Sequence, residues 1–262
     1  MVGATRSQVR VLGPVDVLTP DGVASVGGRQ PRALLGALVM SINRAVHTDH
    51  LRWALWGDDE PAGSEATLQS YVSHLRHVLG QDTIVHTDHS YELDATKVDI
   101  DVVEFERLLR QADAALDEPE TCWRSAREAL QLWRGRPFGD LADDEPFLLE
   151  THRLEEQRLV AMELSIEADL SLGRHQLVIA ELEAAVAEHP YREHLWWLLV
   201  TALAQDGRRV QALRSCDELR RTLREVGIGV GPEMVELERR VIAGEVVGGD
   251  PTSRASGGTP TP

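Results

Sequence analysis

Residues 65–79 read EATLQSYVSHLRHVL. Leu68, Tyr71, Val72, Leu75, Val78 and Leu79 recur at the three- and four-residue spacing that lines one stripe of a helix. The opposite side holds Ser70, Ser73, His74, Arg76 and His77, all hydrogen-bonding groups. The one acid, Glu65, falls in the first turn, where the helix dipole favours it. The whole chain carries a net charge of −16, so a helix face without acids stands apart from the rest. Periodicity alone fits any surface helix, and the neighbouring segments decide between the readings.

Before this helix, QVRVLGPVDVLTPDGVASVGG (8–28) alternates apolar and polar residues around Pro20-Asp21-Gly22, the pattern of a small antiparallel sheet with tight turns. RALLGALVMSINRA (32–45) then has helical spacing through Leu34, Leu35, Leu38, Val39 and Ile42. A second helix is predicted over DHLRWALWG (49–57), with Thr48 as N-cap and Gly57 as stop. The polar loop DDEPAG leads to the quoted helix, which Ser64 caps and Gly80 closes. In TIVHTDHSYELD (83–94), Ile84–Val85 and Tyr91–Leu93 form a hairpin. Sheet, three helices and hairpin, in that order, make a winged helix-turn-helix. In such a fold the last helix before the wing enters the DNA major groove.

At 262 residues the chain has room for one large or two ordinary domains. No apolar run approaches the roughly 20 residues of a membrane helix, and MVGATRSQVRVLG (1–13) lacks a signal-peptide core. Cys122 and Cys216 are far apart on apolar helix faces, which argues for core positions and a reducing cytoplasm rather than a disulfide scaffold. Residues 1–97 hold 8 Lys and Arg against 11 Asp and Glu, while residues 98–262 hold 19 against 32. The acidity belongs mainly to the second part, and the boundary is placed at residues 97–98.

The segments VRVLGPVDV, GRQPRALLGAL, LRWALWGDDEP, TLQSYVSHLRHVLG and SYELD resemble the OmpR-type winged helix of the Streptomyces antibiotic regulatory proteins (SARP-type activators). WRGRPFGDLADDEPFLLETHRLEEQRL, LGRHQLVIAELEAAVAEHPYRE and GIGVGPEMVELER are similar to that family's second half, the bacterial transcriptional activator domain. The resemblance runs from about residue 9 to residue 243. It implies a sequence-specific activator that binds direct repeats upstream of promoters as a homodimer, engages RNA polymerase holoenzyme, and directs secondary-metabolite (antibiotic) synthesis. The family tends to place arginines where this chain has His74 and His77. Its wing often reads Thr-Arg-Pro-Pro-Gly-Tyr, where this chain has Thr87-Asp88-His89-Ser90-Tyr91. Fewer phosphate contacts follow, so monomer binding is expected to be weak and to depend on dimerisation.

By position, Thr67, Ser70, Ser73, His74 and His77 are the major-groove candidates. Arg76 is read as a phosphate grip, and Tyr71 as a ring that packs while its hydroxyl reaches backbone. The resemblance gives Trp56 an indole N–H for phosphate, with core packing as the other reading. Arg29, Arg32 and Arg52 are further phosphate candidates or plain surface arginines, and Thr87 and His89 are the wing candidates. His74 and His77, beside His86 and His89, suggest three alternatives. These are a divalent metal site, binding that strengthens below about pH 6.5, or polar positions where histidine replaced arginine. The last is preferred, and neither metal nor cofactor is assigned.

Residues 98–245 read as a string of helices, at 101–116, 121–134, 145–172, 176–188, 192–205, 208–225 and 232–243. Leu172-Gly173-Arg174 recurs as Asp206-Gly207-Arg208, a spacing of 34 that belongs to tetratricopeptide repeats. The fold class is therefore mainly α: a winged helix-turn-helix (α+β), then an all-α tetratricopeptide-like domain. Such domains bind proteins or themselves. Trp196 and Trp197 are adjacent, so at most one is fully buried. DLADDEP (140–146) reads as a polar inter-helix turn and GIGVGP (227–232) as a helix stop rather than a nucleotide loop. Residues 246–262, rich in Gly, Pro, Ser and Thr, read as a disordered tail.

No catalytic constellation is present, so an enzyme is not expected. The predicted function is a cytoplasmic, nucleoid-associated activator that binds double-stranded promoter DNA and does not touch a membrane. Its rivals are a repressor and a protein-interaction module whose winged helix no longer binds DNA.

Overall fold

The computed structural model describes residues 6–245, so the tail expected over 246–262 lies outside the described residues. The chain forms two compact units. One runs up to Arg110 and includes Glu128–Val160; the other comprises Gln111–Arg127 and the chain from Ala161 on.

The first unit opens with β1 (Gln8–Arg10), β2 (Asp16–Thr19) and β3 (Gly22–Ala24), an antiparallel meander with Val9 opposite Val17 and Leu18 opposite Val23. Three helices follow: α1 (Arg29–Met40), α2 (Thr48–Trp56) and α3 (Ser64–Leu79). The two-residue strand β4 (Val46–His47) lies between α1 and α2, and the hairpin β5 (Ile84–Thr87) and β6 (Ser90–Leu93) follows α3. The wing sheet has the order β4-β6-β5. Leu68, Val72, Leu75 and Leu79 of α3 are buried with Leu34, Leu35 and Leu38 of α1 and Leu51 and Leu55 of α2.

Two caps differ from the sequence reading. His47, not Thr48, is the N-cap of α2; its Nδ1 accepts the Asp49 N–H at 3.3 Å. Gly63, left-handed at φ +81, precedes α3, and the Ser64 hydroxyl instead hydrogen-bonds to the Glu60 carboxylate. Both helices stop at glycines as expected, Gly57 at φ +57 and Gly80 at φ +114.

Beyond residue 97 the same unit continues. β7 (Asp99–Ile100) pairs in parallel with β1, giving the order β3-β2-β1-β7. It leads into α4 (Asp101–Ala114), after which come α5 (Pro119–Gln131), a 3-10 turn at Gly139–Leu141 and α6 (Glu145–Ser171). Asp101, 1% exposed, receives the backbone N–H groups of Val11 and Leu12 at 2.9 Å. Burial pushes its carboxyl up to about 6, opposed by those N–H donors and by Arg134 at 3.8 Å. The stretch WRGRPFG (133–139) runs alongside: the Arg134 N–H donates to the Leu12 carbonyl and the Phe138 N–H to the Val11 carbonyl, each at 2.8 Å. Phe138 is buried against Phe147, with ring centroids 5.2 Å apart.

The second unit is a helical stack completed by α7 (His175–Glu188), α8 (Glu193–Gln205), α9 (Arg209–Glu225) and α10 (Pro232–Ala243). EHLWWLLVTALAQ is apolar all round, and α8 accordingly packs against both α7 and α9. The 34-residue echo has a backbone basis. Gly173 (φ +72) and Gly207 (φ +76) end their helices in the same left-handed turn. The next N–H reaches back five residues: Arg174 to Asp169 O and Arg208 to Leu203 O, both 2.8 Å. Gly227 and Gly244 repeat the turn, with Ile228 bonding Leu223 O and Glu245 bonding Arg240 O at 3.0 Å. Trp196 is buried and donates its indole N–H to the Pro190 carbonyl at 3.0 Å. Trp197 is half-buried and stacks on His194. The thiols of Cys122 and Cys216 lie buried in the interior.

Candidate nucleic-acid interface

The apolar stripe of α3 faces the helices beneath, which leaves Ser70, Ser73, His74 and His77 exposed on the other side. Gln69, exposed and not picked out from the sequence, belongs with them. Gln69, Ser73 and His77 form one column at four-residue spacing, and Ser70 and His74 form the next. The same i, i+4 spacing that marks the buried stripe could have identified it. Thr67 is half-buried, and its hydroxyl donates to the Gly63 carbonyl at 3.2 Å. Tyr71 stacks on Trp56 with centroids 6.5 Å apart, so both rings are partly covered by each other.

Arg76 has a different use from the phosphate grip expected of it. Its Nε and Nη2 both donate to the Ile84 carbonyl, at 2.9 and 2.6 Å, and so tie α3 to the start of the wing. It also faces Tyr91, whose hydroxyl burial pushes up while the guanidinium pulls it down. The other arginines are paired with acids. Arg29 is bonded to Asp144, Arg32 to Asp140 at 2.9 Å, and Arg52 to Asp49 and to Glu60. Asp140 and Asp144 come from DLADDEP, so this inter-helix stretch supplies counter-ions to α1. That pairing spans more than 100 residues and has no local signal.

At the wing tip Thr87 and His89 are exposed and Asp88 is left-handed at φ +51. The His89 ring lies 6.2 Å from that of His47, and the His86 ring 4.7 Å from that of Tyr91. No group of three or more His, Cys, Asp or Glu among the described residues is placed to hold a metal ion. The arrangement offers hydroxyls, a carboxamide and imidazoles along one helix, with a short hairpin beside it. That is a surface for hydrogen-bonding to a polar macromolecule rather than for covalent chemistry.

The model of the bacterial transcriptional activator domain matches residues 100–242, and that of the transcriptional regulatory protein C-terminal domain matches residues 27–91. Regulatory protein DnrI of Streptomyces peucetius is 33% identical over 249 residues, covering 90% of this chain and 92% of that protein. The chain belongs to the SARP-type transcriptional regulators. Regulatory protein AfsR of Streptomyces griseus is 35% identical over 250 residues; there the match covers 92% of this chain but only 25% of the longer relative. The solved structure of Mycobacterium tuberculosis EmbR in complex with a low affinity phosphopeptide has a TM-score of 0.84 and 32% identity, covering 92% of this chain and 66% of that one. Members of this family are regulators rather than enzymes, and the OmpR-type winged helix followed by a helical domain is the expected architecture. Among the described residues no helix is long and apolar enough to cross a membrane.

Proposed function

We propose that this SARP-type regulator activates transcription by laying α3 in the major groove of promoter DNA. The observation that carries the reading is the uncovered polar face of α3, flanked by a wing that Arg76 holds in register. Ser70, Ser73, His74 and His77 enter the groove, where the serines and Gln69 meet base edges and the two imidazoles lie beside the flanking phosphates, and Thr87 and His89 approach the backbone from the wing. The Trp56–Tyr71 pair braces the middle of the helix against α2. Two copies bind a direct repeat, each adding the contacts that one lacks. The helical stack serves dimerisation and contact with RNA polymerase holoenzyme, in the cytoplasm at the nucleoid. The genes controlled are those of secondary metabolism, as membership of the Streptomyces antibiotic regulatory protein family implies.

The test is selection of duplexes from a randomised library by the full chain, followed by transcription with purified polymerase holoenzyme. Recovery of a direct repeat that raises transcript yield when placed upstream of a promoter supports the reading. A second reading, an interaction module that has given up DNA, is favoured by the engagement of Arg29, Arg32, Arg52 and Arg76 within the protein. Selection that enriches no duplex over input at any pH decides for it.

A further inference from the structure

On the reading that α3 and the wing meet duplex DNA, we propose that the binding is proton-coupled: His74, His77 and His89, rather than arginine, supply the positive charge that faces phosphate.

The charge balance of the recognition segment leads there. From His47 to Leu93 the chain carries 8 Asp and Glu against 2 Arg, a net of −6, and 6 histidines. With neutral imidazoles this segment repels a phosphate backbone. With His74, His77 and His89 charged the net falls from −6 to −3, and the repulsion is halved. Of its two arginines, Arg76 is held by the Ile84 carbonyl and Arg52 by Asp49 and Glu60. An exposed ion pair is weak enough for a phosphate to replace the carboxylate. The displaced carboxylate stays beside the new pair, however, so the exchange gains little net attraction.

The surroundings of the histidines favour added charge. On α3, His74 and His77 share their helix with Arg76, already bonded to the wing, and with Glu65. The elements packed on α3 are α1, α2 and β2. On α1, Arg29 and Arg32 are neutralised by Asp144 and Asp140. On α2 the groups are His50, Asp49 and Arg52, the last two paired with each other. On β2, Asp16 is held by Arg10 and Arg134. The wing adds Asp88, Glu92, His86 and Tyr91, and β4 adds His47. Arg29, Arg32 and Arg52 are neutralised by carboxylates; Arg76, bonded to a carbonyl, keeps its charge, and the eight acids of the segment outweigh that repulsion of a proton on His74, His77 or His89. His47 and His89 are 6.2 Å apart on α2's cap and the wing tip. A phosphate oxygen beside the His89 ring favours its charged form, while His47 keeps the Nδ1 lone pair that caps α2. Imidazole changes its charge between about pH 5 and 8, and an adjacent phosphate favours the charged form. Binding therefore takes up protons, and affinity rises as pH falls.

The experiment measures fluorescence anisotropy of the duplex recovered by the selection above, with the full chain, at constant ionic strength. We expect at least about tenfold tighter binding at about pH 6 than at about pH 7.5. The H74Q/H77Q double variant keeps hydrogen-bonding capacity but not charge, and is expected to lose most of that pH dependence. The H74R/H77R variant carries charge at every pH. It is expected to bind at about pH 7.5 as tightly as the unaltered protein does at about pH 6. Circular dichroism at each pH verifies folding of all three. Selective binding with equal affinity at both pH values overturns the proton coupling and leaves the DNA reading standing. Absence of selective binding by the unaltered protein and by the arginine variant at both pH values overturns the two together.

Discussion

Asp101 joins strand β1 to the start of α4, and its environment sets two expectations. Its carboxylate is the acceptor for the N–H groups of Val11 and Leu12 in a buried place. Truncation by Asp101→Ala orphans both donors and should cost about 2–4 kcal/mol, measured by urea unfolding. The pH dependence has the opposite sign to that of an exposed, ion-paired carboxylate. In the unfolded chain an aspartate loses its proton near about pH 4, whereas in the fold burial delays this to about 6. Between those values only the folded state keeps the proton, so the contribution of this group to stability falls as pH rises through the window and levels off above it. The difference in unfolding free energy between the unaltered protein and Asp101→Asn, followed from about pH 4 to 7, isolates that slope. Equal pH profiles for the two proteins would contradict the assignment.

Glycines separate backbone strain from steric exclusion at the level of elements. Gly207 is left-handed at φ +76, and a Cβ there would meet nothing within 4 Å. Gly207→Ala should therefore cost only the conformational penalty, about 1–2 kcal/mol. Gly139 is left-handed at φ +58, and its added Cβ would lie 2.9 Å from the Cα of Pro14. That neighbour is backbone and cannot swing away, so Gly139→Ala should cost about 2–4 kcal/mol and exceed the Gly207 variant in the same thermal melt. The two glycines also illustrate what local patterns can reveal. The 34-residue echo of Gly207 is visible in the chain because a helix ending in a left-handed turn needs a small residue at a fixed place. The bounds of α2 and α3 are legible for the same reason, each being an apolar stripe with a glycine stop. β4 and β7 are not legible, since two residues cannot display a period. Hydroxyls commonly cap helices, which points to Thr48 for α2, while the imidazole of His47 caps it here. The exposed face of α3 is legible residue by residue from its spacing, and Gln69, not picked out from the sequence, falls on that same spacing. The engagement of Arg29, Arg32 and Arg76 is not, because their partners Asp144, Asp140 and the Ile84 carbonyl are fixed only by tertiary packing.

For the whole molecule, the net charge of −16 sets the terms on which a polyanion is approached. A protein of this charge gains little from non-specific attraction to duplex DNA, so in the proposed function selectivity rests on the contacts of one helix. Few phosphates are neutralised at about pH 7.5, and the salt dependence of binding should be shallow there. Near about pH 6 the slope of log affinity against log salt should steepen by about one for each imidazole charged against phosphate. Titrations at two salt concentrations and both pH values check this. In the proposed function the helical stack contributes in another way, by bringing a second copy to the adjacent half of a repeat. Isolated half-sites should accordingly be bound much more weakly than the paired repeat.

The most direct test of α3 as the reader of DNA is to compare the motif selected by the unaltered protein with that selected by the S70A/S73A variant. A base-reading helix predicts changed preference at particular positions of the repeat, with selectivity there falling about tenfold or more while the remaining positions keep theirs. An unchanged motif from the variant would contradict the account.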